Sequence, residues 1–89
     1  MTFKVLLHPK AAKALQKLDA SDKARVKVAL GELAGDPYKV GKQLHPSNFW
    51  RLRKEDYRAI YEIDREKKEV LIIFIGHRKN VYDDFSKIL

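Results

Sequence analysis

The spacing of hydrophobic residues predicts a strand and then a helix at the beginning of the chain. Residues 3–7 form a short run of apolar and branched side chains that stops before Pro9, a pattern that favours a strand. From residue 10 onward the apolar positions recur at helical spacing, with lysines on the opposite side. The apolar positions are Ala11, Leu15 and Leu18, and the lysines are Lys10, Lys13 and Lys17. This segment is therefore predicted to be a short amphipathic helix.

A second helical segment follows after a polar interruption. Residues 19–22 are rich in side chains that cap helices, and Gly35 and Pro37 mark the other end of the segment. The apolar stripe between them consists of Val26, Ala29, Leu30 and Leu33. Two helices separated by so short a break are expected to pack as a hairpin.

The hydrophobic period changes from 3.6 to 2 in the second half of the chain. Residues 36–48 have the composition of a loop. Residues 49–53 and 57–63 then alternate between apolar and polar, whereas residues 70–75 are a continuous apolar run. Polar turns separate the three segments, which predicts an antiparallel meander. Its last strand is expected to be the most buried, because it lacks polar alternation.

The end of the chain returns to helical spacing. Val81, Phe85 and Ile88 predict a short C-terminal helix over residues 80–89. The element order is then βααβββα, with helices and strands segregated along the sequence. This order predicts the α+β class: a twisted antiparallel sheet, with the N-terminal helical hairpin packed on one face. At 89 residues, the whole chain, 1–89, is expected to form one domain.

Composition narrows the function classes. The chain has no cysteine, which excludes disulfides and a thiolate nucleophile. Its longest apolar run is far shorter than the about 20 residues that cross a bilayer, so a cytoplasmic protein without a membrane partner is expected. Lysine and arginine number 19 against 12 aspartates and glutamates, a net charge of +7. Such a field attracts polyanions, either nucleic acid or an acidic protein.

The arginines of the predicted strands form the first candidate site. Strand alternation places Leu52 on one face and Arg51 and Arg53 on the other, and it places Arg58 of the next strand on that same polar face. Because the apolar face must cover the helices, the three guanidinium groups should emerge together on the opposite face. Their mutual repulsion makes most sense if a phosphate or carboxylate lies between them. Solvated arginines paired with nearby carboxylates remain an alternative.

A second cluster follows the buried strand. His77 and Arg78 come directly after Gly76, and Tyr82 lies about one helical turn beyond Arg78. Histidine titrates near neutrality and tyrosine can donate a proton, so these residues could handle protons and negative charge together. A structural or merely exposed His-Arg pair remains open as the simpler interpretation. The scattered histidines, and glycines that match no phosphate-binding loop, predict neither a metal site nor a nucleotide site.

Four segments carry a resemblance to a known family: Trp50-Arg51-Leu52-Arg53, Asp56-Tyr57-Arg58-Ala59-Ile60-Tyr61-Glu62-Ile63, Ile75-Gly76-His77-Arg78 and Val81-Tyr82. They resemble the strand motifs of the RelE/ParE toxin superfamily, and within it the RelE branch of bacteria and archaea. The element order and the basic, cysteine-free composition match as well. The resemblance therefore covers nearly the whole chain, and its specific part lies in the sheet.

The resemblance implies the toxin of a type II toxin–antitoxin system, which enters the ribosomal A site and cuts mRNA without a metal or other cofactor. In such enzymes the ribose 2′-OH attacks the adjacent phosphate, leaving a 2′,3′-cyclic phosphate and a 5′-OH. At the matching positions, Arg58 and Arg78 would bind and stabilise the scissile phosphate. Arg78 could also protonate the leaving oxygen, and Tyr82 would orient the substrate or stack on it.

The sequence departs from the best-described members at Arg51 and Arg53, where those members place lysines, one of them proposed as the base. Arginine stays charged at any ordinary pH and is a poor base. His77 is therefore the expected proton-transfer residue, with His45 a distant second. The residues expected to bind RNA are Arg51, Arg53, Lys54 and Lys79.

The resemblance also implies a partner, an acidic RelB-like antitoxin that folds on the basic face or shifts the last helix. Operator DNA would be bound only through the antitoxin complex. Two other functions stay open: a ParE-like inhibitor of DNA gyrase, and a non-catalytic or weakened toxin that acts within an autoregulatory complex. The arginines with His77 and Tyr82 favour the ribonuclease, whereas the missing lysine favours the non-catalytic member.

Overall fold

A five-stranded sheet with helices on one face forms the framework of the described residues, 2–44 and 47–77, in a computed structural model. The elements are β1 (Lys4–Leu7), α1 (Pro9–Gln16), α2 (Ala20–Glu32), α3 (Pro37–Val40), β2 (Lys42–Gln43), β3 (Trp50–Lys54), β4 (Tyr57–Asp64) and β5 (Glu69–His77). The α+β class, the first strand, the helical hairpin and the three-stranded meander are confirmed. The predicted C-terminal helix lies outside the described residues.

The strand order of the sheet is β1-β5-β4-β3-β2. Strands β2 to β5 pair antiparallel with one another, but β1 lies parallel to β5, with Val5 opposite Val70. The sheet is therefore mixed, and its description as antiparallel is wrong for β1. Hydrophobic periodicity reports which side of a strand is buried and carries no information on the direction of its neighbour.

The two long helices begin where polar side chains cap them. The Asp19 carboxylate accepts a hydrogen bond from the backbone N–H of Asp22 at 2.8 Å and starts α2. The His8 ring accepts one from the backbone N–H of Lys10 at 3.2 Å and starts α1, where Pro9 occupies the first turn. None of the helices within residues 2–44 and 47–77 has the length and apolar character needed to cross a membrane.

The main core lies between the helical hairpin and one face of the sheet. Strand β5 is an inner strand of the sheet, paired with β1 on one side and with β4 on the other. Val70 and Ile72 are fully buried, as expected for a strand without polar alternation. The helical stripes that cover them are Ala11 and Leu15 of α1, and Val26, Ala29 and Leu30 of α2.

The segment predicted as a loop contains two short elements. Asp36 caps the four-residue helix α3 by accepting hydrogen bonds from the backbone N–H groups of Tyr38 and Lys39, at 3.1 and 3.2 Å. The two-residue strand β2 then forms the edge of the sheet beside β3. Elements this short carry too few residues to show a hydrophobic period, so composition alone indicated a loop.

A buried tyrosine ties α3 to the sheet. Tyr61 is fully buried, and its hydroxyl donates a hydrogen bond to the backbone oxygen of Pro37 at 2.6 Å. Burial raises the pKa of Tyr61 well above its ordinary value, so the hydroxyl stays protonated and remains a donor. This contact fixes α3 and the segment after it against β4.

Gly41 is required by the close approach of that tyrosine. A Cβ at position 41 would overlap the Tyr61 hydroxyl and would lie 2.9 Å from the backbone oxygen of Arg51. We expect Gly41→Ala to lower the free energy of unfolding by about 1–3 kcal/mol, because the buried ring has no room to move. Urea unfolding followed by circular dichroism measures the change. Gly31→Ala is the matched control.

The control differs because Gly31 lies on the exposed side of α2, where no heavy atom comes within 4 Å of an added Cβ. Alanine there should be neutral or should stabilise the protein by up to about 1 kcal/mol. Equal behaviour of the two alanine variants would contradict the packing described for Tyr61.

Candidate functional site

Three arginines share the face of the sheet that points away from the helices. Arg53 and Arg58 are direct cross-strand partners in the β3–β4 register, and Arg51 lies two residues earlier on the same side of β3. The alternating residues Leu52 and Ala59 are buried in the core beneath α2. Directly opposed residues have Cβ atoms about 5 Å apart. The structure therefore brings together the three arginines that strand alternation placed on one face, and we call this surface the arginine face.

Arg58 is held in place by the turn between β3 and β4. Its Nη1 donates hydrogen bonds to the backbone oxygens of Glu55, at 2.8 Å, and of Tyr57, at 2.9 Å. Glu55 has a left-handed backbone, with φ of 55°, which turns the chain sharply between the strands. The guanidinium group thereby acquires a defined position beside Arg53.

The Glu55 carboxylate could neutralise the strand arginines, but it forms an ion pair with Arg25 on α2 instead. Glu55 Oε2 accepts a hydrogen bond from Nη1 of Arg25 on α2 at 3.0 Å. Arg25 also lies 3.9 Å from Asp22 on the same helix. The negative charge of Glu55 is therefore directed towards the helical side of the molecule and away from the arginine face.

Apolar residues adjoin the arginines on the same face. Ile60 follows Arg58 by two positions, is opposite Arg51 and is fully buried. It packs with a second small cluster on this side of the sheet, which includes Leu44, Phe49, Ile73 and Phe74. An irregularity in the β4–β5 register after Ile60 accompanies this cluster. The arginine face thus combines positive charge with a small apolar platform.

His77 lies on the other face of the sheet. Arg58 is opposite Gly76 in β5, so strand alternation turns the next residue, His77, towards the helices, where it is opposite Tyr57. The two rings pack edge to face with centroids 5.9 Å apart. The expected role of His77 in proton transfer requires it to lie beside the strand arginines. The structure instead places it on the opposite face of the sheet. Lys54 is opposite Tyr57 and also belongs to the helical face.

Tyr57 forms a contact that the sequence did not reveal. Its hydroxyl donates a hydrogen bond to Oδ2 of Asp22 on α2 at 3.0 Å. This hydrogen bond, followed by desolvation and the charge of Asp22, raises the pKa of Tyr57 above its ordinary value. The Tyr57 hydroxyl therefore stays protonated and remains a hydrogen-bond donor to Asp22.

Four sequence-predicted site residues fall outside the described part of the chain. They are His45, Arg78, Lys79 and Tyr82. Strand β5 ends at His77, so Arg78 follows the described corner directly in sequence.

Comparisons with known proteins agree with this architecture. A family model described as the ParE toxin of the type II toxin-antitoxin system parDE matches residues 5–82. Toxin RelG of Mycobacterium tuberculosis is 36% identical over 61 residues, which cover 66% of this chain and 70% of that protein.

Solved structures of similar proteins include two toxin–antitoxin complexes. The RelBE2 complex from Mycobacterium tuberculosis matches with a TM-score of 0.80 and 32% identity, over 88% of this chain and 100% of that chain. The archaeal RelE–RelB complex from Pyrococcus horikoshii matches with a TM-score of 0.72 and 26% identity, over 88% and 97% of the two chains.

The mixed sheet, its arginine face and a family match over most of the chain together define a toxin of a type II toxin–antitoxin system. Within that class, the chain belongs to the RelE/ParE toxin superfamily.

Proposed function

We propose that this chain is a ribosome-dependent mRNA endoribonuclease of the RelE type. The observation that carries the proposal is the cross-strand pair of Arg53 and Arg58, with Arg51 beside them on one face. Guanidinium groups bind phosphate in a bidentate manner and remain charged, so such a cluster suits a backbone phosphodiester.

The proposed reaction needs charge stabilisation more than it needs a nucleophile from the protein. The ribose 2′-oxygen forms a bond to the adjacent phosphorus, and the bond from phosphorus to the 5′-oxygen of the next nucleotide breaks. One proton passes from the 2′-OH to solvent water, and another reaches the departing 5′-oxygen. The doubly charged phosphorane between these steps is stabilised by cationic donors already in position. Arg58 takes this role, because the turn carbonyls fix its guanidinium group.

The other predicted residues have different roles in binding and cleaving the RNA. Arg51 and Arg53 position the RNA backbone, and Lys79 adds positive charge. Arg78 binds the scissile phosphate and protonates the leaving oxygen, while Tyr82 stacks on the substrate. Lys54 and His77 belong to the helical face, so we assign Lys54 to the rim of the RNA path and His77 to packing.

The proposed partner is an acidic RelB-like antitoxin. The two similar complexes described above pair a toxin with its antitoxin. The net charge of +7 on this chain favours an acidic partner, which would cover the arginine face and block RNA. Through that antitoxin the complex would bind operator DNA.

Inhibition of DNA gyrase is the second candidate, because the matching family model describes a ParE toxin. A gyrase inhibitor acts by binding and has no need of an arginine cluster that fits one phosphate. The two functions therefore differ in what happens to mRNA.

One preparation of the protein can test both functions. The purified toxin is added to translating ribosomes, and new mRNA ends are mapped by primer extension. The same protein is added to a gyrase supercoiling reaction. The proposal expects new mRNA ends only when ribosomes are present, and unchanged supercoiling. Inhibited supercoiling with intact mRNA would establish the ParE-like function instead. If the folded protein causes neither effect, it is the non-catalytic member.

Binding to ribosomes is expected to weaken steeply as salt increases, since phosphate contacts dominate. Arg53 is exposed on the arginine face. We expect Arg53→Gln to lower the slope of log affinity against log salt by about 0.7–0.9, the value of one phosphate contact. Arg65→Gln, at the exposed β4–β5 turn, is the charge-matched control and should leave the slope close to that of the wild type. Equal slopes in the two variants would show that Arg53 makes no phosphate contact in the ribosome complex.

A further inference from the structure

Two contacts join α2 to the β3–β4 turn on the helical side of the sheet. The Tyr57 hydroxyl donates to Asp22 at 3.0 Å, and Arg25 donates to Glu55 at 3.0 Å. The partners are 35 and 30 residues apart in sequence, so both contacts are tertiary. We call Asp22, Arg25, Glu55 and Tyr57 the α2 clamp.

The helical end of the clamp is anchored by a capping hydrogen bond and by the core. The backbone N–H of Asp22 donates to the capping carboxylate of Asp19 at 2.8 Å, which fixes the first turn of α2. The next turns of α2 are buried in the main core through Val26 and Ala29. Asp22 therefore offers Tyr57 an acceptor whose position is set by the body of the domain.

Glu55 and Tyr57, whose side chains contact α2, also bind Arg58 through their backbone oxygens. Arg58 Nη1 donates to the backbone oxygens of Glu55 and Tyr57, at 2.8 and 2.9 Å. The side chains of Glu55 and Tyr57 face α2, whereas their carbonyls face the guanidinium group of Arg58. A shift of the turn relative to α2 would move these two backbone oxygens together.

Tyr57 extends the clamp to the end of β5. Its ring packs edge to face on His77, with centroids 5.9 Å apart and planes at 79°. His77 is the last residue of β5, and Arg78 comes next in sequence. The position from which the chain continues to Arg78 is thus set by a ring that is itself tied to Asp22.

We propose that the α2 clamp positions Arg58 and the end of β5 for phosphate binding, with Asp22, Tyr57 and His77 as positioning residues. The proposal rests on the ribonuclease function proposed above. His77 faces the helices in this arrangement, where its ring supports Tyr57. A displacement of about 1 Å can slow an enzymatic step about 100-fold, so a contact outside the arginine face can control the rate.

The test separates positioning from stability by comparing two tyrosines. Tyr57→Phe removes the hydrogen bond to Asp22 and keeps the ring on His77. Tyr61→Phe is the matched control, because it removes a buried hydrogen bond to Pro37 on the core side of the sheet, opposite the arginine face. Single-turnover mRNA cleavage on saturating ribosomes is measured for both variants, for Asp22→Ala and for the Tyr57→Phe/Asp22→Ala double variant.

We expect Tyr57→Phe and Asp22→Ala each to slow cleavage about tenfold, with the affinity for ribosomes unchanged. The double variant should be no slower than either single variant, because both changes break the same contact. Tyr61→Phe should lower the melting temperature and leave the cleavage rate of the folded protein unchanged. A wild-type rate for Tyr57→Phe, or additive losses in the double variant, would overturn the clamp.

His77 provides a further test of positioning against proton transfer. His77→Phe keeps an aromatic ring against Tyr57, whereas His77→Ala removes it. We expect the phenylalanine variant to retain most of the cleavage rate and the alanine variant to lose about tenfold. Equal loss in both folded variants would show that the imidazole itself is needed and would contradict the positioning role.

An NMR measurement decides the clamp independently of ribonuclease activity. The Arg58 Nε–Hε signal should shift or broaden in Tyr57→Phe and Asp22→Ala and should remain unchanged in Tyr61→Phe. If the wild type cleaves no mRNA, the proposed function fails, yet these spectra still report whether the clamp orders Arg58. An unchanged Arg58 signal in both clamp variants would overturn the inference.

Discussion

Arg58→Ala is expected to slow ribosome-dependent mRNA cleavage by a factor of about 100 or more, the usual cost of losing one preorganised donor to a transition-state anion. Arg58 is only half-buried, so the fold should persist. Its Nη1 is fixed by two backbone oxygens, which places a permanent positive charge beside Arg53 before the substrate arrives. Single-turnover cleavage on programmed ribosomes measures the loss, and relief of growth arrest on expression accompanies it.

Arg65→Ala is the matched control for this prediction. Arg65 is an exposed arginine of the β4–β5 turn, where its guanidinium group lies over the Tyr38 ring at 5.1 Å from the centroid. This turn joins the ends of β4 and β5 that are farthest from Tyr57 and His77. The control removes the same charge without touching the arginine face. Wild-type cleavage by Arg58→Ala, or equal loss in both variants, would contradict the proposed role of Arg58.

Arg78→Ala is expected to produce a loss of similar size, about 100-fold, in the cleavage step. The prediction rests on the resemblance of the Ile75-Gly76-His77-Arg78 segment to toxins of the RelE branch. An arginine that stabilises the phosphorane and protonates the leaving oxygen contributes mainly in the transition state. The rate on saturating ribosomes should therefore fall while ribosome affinity changes little.

Lys79→Ala distinguishes this role from general positive charge. We expect it to weaken ribosome affinity and to leave the rate on saturating ribosomes close to wild type, because a backbone contact acts equally before and during cleavage. If Arg78→Ala and Lys79→Ala change the same kinetic parameter, Arg78 contributes only charge.

The arginine face could be predicted from the sequence because it depends on strand alternation. Arg51, Arg53 and Arg58 lie in two adjacent segments with a clear period of two, and the short turn between them limits the possible registers. Once Leu52 and Ala59 belong to the core, the arginines must emerge on the other side. The helical hairpin followed from the same reasoning with a period of 3.6.

The position of His77 could not be predicted, since it depends on the register between β4 and β5. Residues 70–75 are apolar without alternation, so the sequence does not show which face each side chain occupies. The observed pairing of Arg58 with Gly76 places His77 opposite Tyr57. A motif that is continuous in sequence, Gly76-His77-Arg78, therefore need not contribute all its side chains to one face.

The tertiary contacts of α2 were also beyond sequence reasoning. Asp22 belongs to the capping segment 19–22 and Tyr57 to the alternating segment 57–63, and nothing in either segment indicates their hydrogen bond. Contacts between residues 35 positions apart depend on how the hairpin is oriented on the sheet. The parallel pairing of β1 with β5 was missed for the same reason, as periodicity carries no direction.

The chemistry of the cleaved RNA ends is the most direct test of the proposed mechanism. Fragments from ribosome-bound mRNA are labelled at their 5′ ends with a kinase, and their 3′ ends are ligated to an adaptor either directly or after removal of 2′,3′-cyclic phosphates. Attack by the ribose 2′-OH predicts 5′-OH ends and 2′,3′-cyclic phosphates on the upstream fragments. Fragments with 5′-phosphates and 3′-OH ends would show attack by water and would contradict the account.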